Sequence, residues 1–215
     1  MKEKIYKCGI FDLDGVLVDT AKYHYLAWKQ LAAQLGFEFT PEQNEALKGV
    51  SRMRSLEILL ADGGLTGKFT DAEMEKLAAE KNEIYVRYIR ELKQEELFPG
   101  VVETFRAMKA AGVKIALGSA SKNAGMILDR LQITPYFDAI IDGTKVTKAK
   151  PDPEVFLLAA QELGIAPCDC VVFEDSQAGI EAAKSADMLA VGVGTQAQLP
   201  KADLLVSNVS EFSWN

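Results

Sequence analysis

The sequence predicts an α/β fold: a doubly wound, Rossmann-like parallel sheet with an inserted helical domain. Three observations predict it. Six short β-rich runs, at 5–11, 113–117, 139–141, 171–173, 189–193 and 204–206, are nearly continuous apolar stretches. Strands covered on both faces read that way. Helical stretches fall between the later runs, as right-handed crossovers require. Residues 18–92 break the alternation and contain no strand pattern, which leaves room for a small helical domain.

Each element follows from local signals. The first run, 5–11, ends in acids at Asp12, Asp14 and Asp19. Asp19 beside Thr20 reads as support for the turn that follows. Residues 21–35 then form a helix. Thr40-Pro41-Glu42-Gln43 is a capping box with proline at the first helical position, and that helix is expected to reach Lys48 and stop at Gly49. Ser51 can cap the next helix, 52–60. Thr70-Asp71-Ala72-Glu73 is a second capping box, opening a long helix toward Leu92. Phe98-Pro99-Gly100 marks the return to strand–helix alternation. Helices are expected at 101–111, 122–131, 153–163 and 177–185. The domains are therefore 1–17 with 93–215, and 18–92. Gly192-Val193-Gly194-Thr195-Gln196-Ala197 imitates a dinucleotide fingerprint, but Leu199-Pro200 spoils the helix it would need, so it reads as a strand-end turn.

Composition limits the function classes. A net charge of −7 argues against nucleic acid or an anionic membrane surface as partner. No apolar run approaches the roughly 20 residues of a membrane helix. The three cysteines, Cys8, Cys168 and Cys170, read as reduced thiols of a cytoplasmic protein. With His24 the only histidine, a zinc site lacks ligands.

The acids at the strand ends carry the chemistry. Residues two apart on a strand point to the same face, so Asp12 and Asp14 are expected to lean the same way at the C-terminal end of the first strand, the edge where open α/β sheets bind ligands. Two carboxylates about 4 Å apart repel by roughly 4 kcal/mol at an effective dielectric near 20. A proton, a lysine or a metal must relieve that. The run 171–173 also ends in acids, Glu174-Asp175. If it lies beside the first, the resulting all-oxygen cluster suits Mg²⁺, which also recruits phosphate.

FDLDGVLVDT, residues 11–20, resembles the first motif of the haloacid dehalogenase superfamily of aspartate-dependent phosphotransferases. Ser119, Lys150 before Pro151, and Glu174-Asp175 match its second, third and fourth motifs. The resemblance implies that the helical insertion is the superfamily's mobile cap. It also implies that Asp12 is the nucleophile that becomes an aspartyl phosphate, and Asp14 the general acid/base. Asp12, the Asp14 backbone carbonyl, Asp175 and Glu174 would hold Mg²⁺. Ser119 and Ala120 sit where strand gives way to helix, so free N–H groups can face phosphate. Lys150, held extended by the proline after it, can bridge the phosphoryl group and Asp12. Alone, Lys150 would read as a solvated surface lysine.

These core motifs fit a sugar-phosphate phosphatase and a sugar phosphomutase equally; the inserted domain distinguishes them. Lys48 and Arg52 flank Gly49-Val50-Ser51. A cation at a helix N-terminus is mildly unfavourable, so Arg52 points to a second anion site. A mutase, whose intermediate is a bisphosphate, needs that second site. Further segments resemble the superfamily's sugar phosphomutases: Asp19-Thr20 with His24 and Trp28, Leu47 to Arg52, Lys81-Asn82, and Ser119-Ala120-Ser121-Lys122-Asn123. By that resemblance Arg52 binds the distal phosphate. Lys122 and Asn123 lie near phosphate or sugar, Lys81 and Asn82 contact substrate, and His24 helps position Asp14. Trp28 shares a helix face with His24 and reads equally as packing. The activity implied is interconversion of β-glucose 1-phosphate and glucose 6-phosphate by a monomer, primed by β-glucose 1,6-bisphosphate.

Overall fold

The computed structural model describes residues 5–47 and 51–214. The chain divides into two compact units, one of Met1–Asp19 with Leu92–Asn215 and the other of Thr20–Glu91. Val18 stays with the first unit because it bridges to both Asp14 and Leu97.

The first unit is built on six parallel strands: β1 (Cys8–Phe11), β2 (Lys114–Gly118), β3 (Ala139–Ile141), β4 (Cys170–Glu174), β5 (Leu189–Val193) and β6 (Leu204–Val206). Their order is β3-β2-β1-β4-β5-β6, so the chain reverses direction across the sheet between β1 and β4. Such a switch point opens a crevice beyond the carboxyl ends of the strands. In register, Phe11 faces Phe173, which brings the residues after β1 beside the end of β4. The crossover helices are α5 (Val101–Ala110), α6 (Ala124–Arg130), α7 (Glu154–Leu163) and α8 (Gln177–Ser185).

Both sheet faces are covered, which explains the unbroken apolar runs. On one face Cys8, Ile10, Cys170 and Val172 pack with Val155, Phe156 and Ala159 of α7 and Ile180 and Ala183 of α8. On the other, Phe11 stacks on Phe173 at 4.7 Å and meets Phe105 of α5 edge-on at 5.1 Å. Phe212 and Trp214 extend that aromatic layer over Phe173. The cysteines are free thiols.

The second unit holds α1 (Ala21–Gln34), α2 (Pro41–Asn44), α3 (Arg52–Asp62) and α4 (Asp71–Arg90). Trp28, Leu31, Phe39, Leu56, Leu59 and Ala78 form its core. Both capping boxes close as their sequences require, Thr40 with Gln43 and Thr70 with Glu73. Ser51 caps α3 by accepting from the Arg54 N–H.

Several boundaries differ from expectation, and three of the differences bear on the site or its support. β1 starts at Cys8, leaving Ile5 exposed. The helix from Pro41 ends at Asn44 and tightens into a 3-10 turn, Glu45–Leu47; Lys48, where it was expected to end, lies outside the described residues. The helix expected from residue 122 starts at Ala124, because the hydroxyls of Ser119 and Ser121 accept the N–H groups of Ser121 and Asn123 and hold a turn. Among the described residues, no helix is long and apolar enough to cross a membrane.

Candidate active site

The acidic stretch begins where β1 stops. Asp12 still makes one sheet bond, its N–H donating to the Phe173 carbonyl. The chain then bends at Leu13, and Asp14 pairs with Val18 across a turn. Strand alternation therefore does not place Asp14; the turn does. Gly15 makes this turn possible. Its φ is +76°, and a Cβ there would come within 2.0 Å of an Asp175 carboxylate oxygen. The carboxyl of the fourth motif thus rests on the backbone of the first.

Lys150 brings the two strand ends together. Its Nζ donates to Asp12 Oδ1 at 2.6 Å and to Glu174 Oε1 at 2.5 Å. The Phe156 ring lies beneath the ammonium, 4.9 Å from ring centre to Nζ. Lys150 and Pro151 lie in a turn ahead of α7, and the peptide between them is cis. The other Glu174 oxygen accepts from the N–H and the hydroxyl of Ser176, which also caps α8. Gly179 leaves the space: a Cβ there would lie 1.8 Å from the Glu174 carboxyl carbon.

Electrostatics follow from this crowding. Burial pushes Asp12 up to about 6, with Lys150 opposing and Glu174 adding to the rise. Burial, then Asp12 and Asp175, push Asp14 up to about 8. Asp175 rises to about 7, through desolvation of its carboxyl and then Asp12 and Glu174. Burial opposes the charge on Lys150, but Asp12 and Glu174 outweigh it and hold the ammonium above the usual lysine range. Asp14 Oδ1 is buried without a hydrogen-bond partner. A carboxyl protonated near neutrality beside an ionised one is the division of labour that acid–base chemistry needs.

The second motif is placed differently from expectation. The Ser119 N–H is spent on the Ile141 carbonyl, so it cannot face phosphate. Its buried hydroxyl accepts from Ser121 N and keeps its own proton to donate. Ala120 and Lys122 are exposed on the turn, and Ser121 and Asn123 are half-buried.

In the helical unit, Lys81 is the centre. It is 3% exposed, and its Nζ lies 2.7 Å from His24 Nδ1. The same ammonium sits over the rings of Trp28 at 4.6 Å and Tyr85 at 5.1 Å. His24 stacks on Tyr85, with ring centres 4.0 Å apart. Burial, then Arg52, lowers Lys81 to about 7. Burial, then Lys81 and Arg52, lowers His24 to about 3, so the imidazole is neutral. Arg52 donates to Asn82 Oδ1 at 2.9 Å, and burial lowers its pKa as well. His24, Trp28, Arg52, Lys81 and Asn82 therefore form one group. Lys48, Gly49 and Val50 lie outside the described residues; Ser51 is the α3 cap.

A family model described as haloacid dehalogenase-like hydrolase matches residues 6–187. The chain belongs to the haloacid dehalogenase-like hydrolase family. Within that family it is 47% identical to a β-phosphoglucomutase of Bacillus subtilis, over 96% of this chain and 92% of that one. It is 36% identical to a phosphorylated carbohydrates phosphatase of Thermotoga maritima, over 82% of this chain and 80% of that one. A crystal structure of β-phosphoglucomutase from Clostridium difficile superposes with a TM-score of 0.87 at 42% identity, covering 97% of this chain and 94% of that one.

The family resemblance carries the expectation of a divalent metal at these carboxylates. Among the described residues, no three carboxylate, histidine or cysteine side chains form a ready-made metal cage. The reason is local: Glu174 is turned to Lys150 and Ser176 instead of to Asp12 and Asp175. Mg²⁺ does not need a full protein cage, since one or two carboxylates with waters and a phosphate suffice. The oxygen-only donors, the unpartnered Asp14 Oδ1 and the mutual repulsion of Asp12 and Asp175 fit such a cation. Sequence reasoning missed two supporting residues. Ser176 was legible as a helix cap three residues before Gly179. Tyr85 was legible only as an aromatic four residues beyond Lys81 on one helix face.

Proposed function

We propose that this chain is a phosphomutase that interconverts β-D-glucose 1-phosphate and glucose 6-phosphate, primed by β-glucose 1,6-bisphosphate. The observation that carries this reading is the 47% identity to the Bacillus subtilis β-phosphoglucomutase across nearly the full length of both chains. It supports a choice of sugar and anomer that the strand-end carboxylates alone leave open. The cationic group of Arg52 and Lys81 in the helical unit supports a second phosphate site, which hydrolysis does not require.

In the proposed cycle the phosphoryl group starts on Asp12. The 6-hydroxyl of β-glucose 1-phosphate attacks phosphorus while Asp14 takes its proton, and the bond from Asp12 to phosphorus breaks. The bisphosphate formed turns end for end. Asp12 then attacks the phosphorus at C1, and Asp14 returns its proton to the departing C1 oxygen. Glucose 6-phosphate leaves and phospho-Asp12 is restored. Asp14, raised to about 8 by burial and by Asp12 and Asp175, takes that proton through its ionised fraction and then holds it between the half-reactions.

Lys150 and the Ser119 hydroxyl would neutralise and orient the transferring phosphoryl oxygens, with Ala120, Ser121, Lys122 and Asn123 lining the same side. Asp12, Asp175 and the Asp14 carbonyl would hold Mg²⁺, with Glu174 joining them by turning away from Lys150, and the ion would supply charge neutralisation at phosphorus. Arg52 would take the distal phosphate, with Lys81 and Asn82 on the sugar and Lys48, Gly49, Val50 and Ser51 on the same loop. By the family resemblance His24 would help position Asp14, and Trp28 would pack beside it. We read the enzyme as a cytoplasmic monomer acting on small phosphorylated sugars, in keeping with its free thiols.

Phosphorus NMR with Mg²⁺, β-glucose 1-phosphate and a trace of the bisphosphate tests the reading. Glucose 6-phosphate is expected to accumulate. Inorganic phosphate as the main product would replace the mutase with a phosphatase.

A further inference from the structure

Lys150 reaches Asp12 and Glu174 from an irregular segment, residues 142–153, that joins β3 to α7. A buried ammonium must be delivered to two carboxylates by a stretch without helix or strand of its own. Something must hold that stretch in place.

At its start, Gly143 donates to the Ser121 carbonyl, and Asp142 accepts from Thr144 N–H at 2.9 Å. At its end, one side chain does most of the holding. The Glu154 carboxylate accepts from Thr147 N–H at 2.8 Å, Lys148 N–H at 2.6 Å and the Thr147 hydroxyl at 2.9 Å. Its own N–H donates to Asp152 Oδ1 at 3.0 Å. Glu154 is the first residue of α7, where a negative charge is favoured by the helix dipole. The Lys148 and Thr147 donors hold its carboxyl below the usual range, so it stays ionised as an acceptor. That helix is fixed by burial of Val155, Phe156, Ala159 and Ala160, and Phe156 is the ring under the Lys150 ammonium.

We infer that Glu154 is a positioning residue for Lys150: it ties the backbone two residues before the lysine to the helix that carries the lysine's aromatic floor. Glu154 touches neither Asp12 nor Glu174, so it acts through Lys150. Both backbone N–H groups fall on one Glu154 oxygen and the Thr147 hydroxyl on the other, so an amide could keep these contacts, its NH₂ donating to the rotated hydroxyl, whereas an alanine keeps none. Misplacing a reacting group by an ångström can cost about 100-fold in rate.

This inference rests on the phosphoryl-transfer role proposed for Lys150. The experiment compares Glu154→Ala, Glu154→Gln, Thr147→Val, Lys150→Ala and the double variant Glu154→Ala/Lys150→Ala, with kcat and KM measured for each. Glu154→Ala is expected to lower kcat about 10- to 100-fold while KM for the sugar phosphate stays within about threefold. Glu154→Gln, whose amide can keep the two backbone bonds, is expected to recover most of that loss. The double variant is expected to be no slower than Lys150→Ala, because a misplaced lysine and an absent one forfeit the same contacts. Thr147→Val, which removes one donor and little volume, is expected to show a smaller loss of the same kind. A kcat for Glu154→Ala within about twofold of wild type would overturn the inference, as would a double variant slower by the full Glu154→Ala factor. If Glu154→Ala does not fold, Thr147→Val decides, and an unchanged kcat there overturns it. If the wild-type protein hydrolyses sugar phosphate without isomerising it, the mutase reading fails, and the same comparison is then made on hydrolysis.

Discussion

At the scale of single residues, charge placement separates the two halves of the chemistry. Arg52→Ala is expected to lower isomerisation at least about 10-fold while slow release of phosphate from phospho-Asp12 persists. Coupled assay of glucose 6-phosphate alongside phosphate release checks both. Asp12→Asn is expected to abolish turnover, and incorporation of labelled phosphate into that variant would remove Asp12 as nucleophile. Lys81 gives a pH-dependent outcome. Its folded pKa of about 7 lies below the ordinary 10.5, so between those values the unfolded chain binds a proton that the folded one does not. Stability attributable to this group therefore rises with pH across that window, and its cost is fully present below about 7. Lys81→Met is expected to raise the urea midpoint more at pH 6 than at pH 10 relative to wild type. Equal changes at both pH values would discard the buried-ammonium account. Parts of this chemistry were legible in the sequence: acids after an apolar run imply a ligand for carboxylates whatever the fold. The unusual environment of Lys81 was not, because it depends on Trp28 and Tyr85 closing over it from two helices.

At the scale of elements, local signals were read well and tertiary ones poorly. Both capping boxes and the Ser51 cap are local, involving residues three apart, and all three form. Thr70→Ala should therefore cost α4 about 1 kcal/mol, measurable by urea denaturation. The start of α6 was misread because two serine hydroxyls compete for the N–H groups that a helix would order. The reason given for Asp12 and Asp14 sharing a face also failed, since the strand ends at Phe11 and the Gly15 turn does the placing. Helix α8 supplies the sharpest element-level outcome. Gly179→Ala puts a methyl group where the Glu174 carboxyl lies, and that carboxyl is held by Lys150 and Ser176. Loss of about 10-fold or more in kcat is expected, together with a lower thermal midpoint. A variant with wild-type values for both would show that Glu174 can relocate freely.

At the scale of the whole molecule, sheet order explains why four motifs scattered over the sequence belong together. β1 has β2 on one side and β4 on the other, so residues after three adjacent strands open onto one edge. Strand alternation made the fold class legible, but not which strands would be neighbours; only the pairing of Phe11 with Phe173 sets Asp12 beside Glu174. The ammonium already seated between those carboxylates has a practical corollary. A protein stripped of its divalent ion retains an internal counter-cation, unlike small zinc domains that unravel without metal. Treatment with a chelator should silence the enzyme yet leave its circular dichroism and its tryptophan emission intact, and activity should return when Mg²⁺ is restored. On the proposed function, such a catalyst would be switched off by removal of its ion without being dismantled.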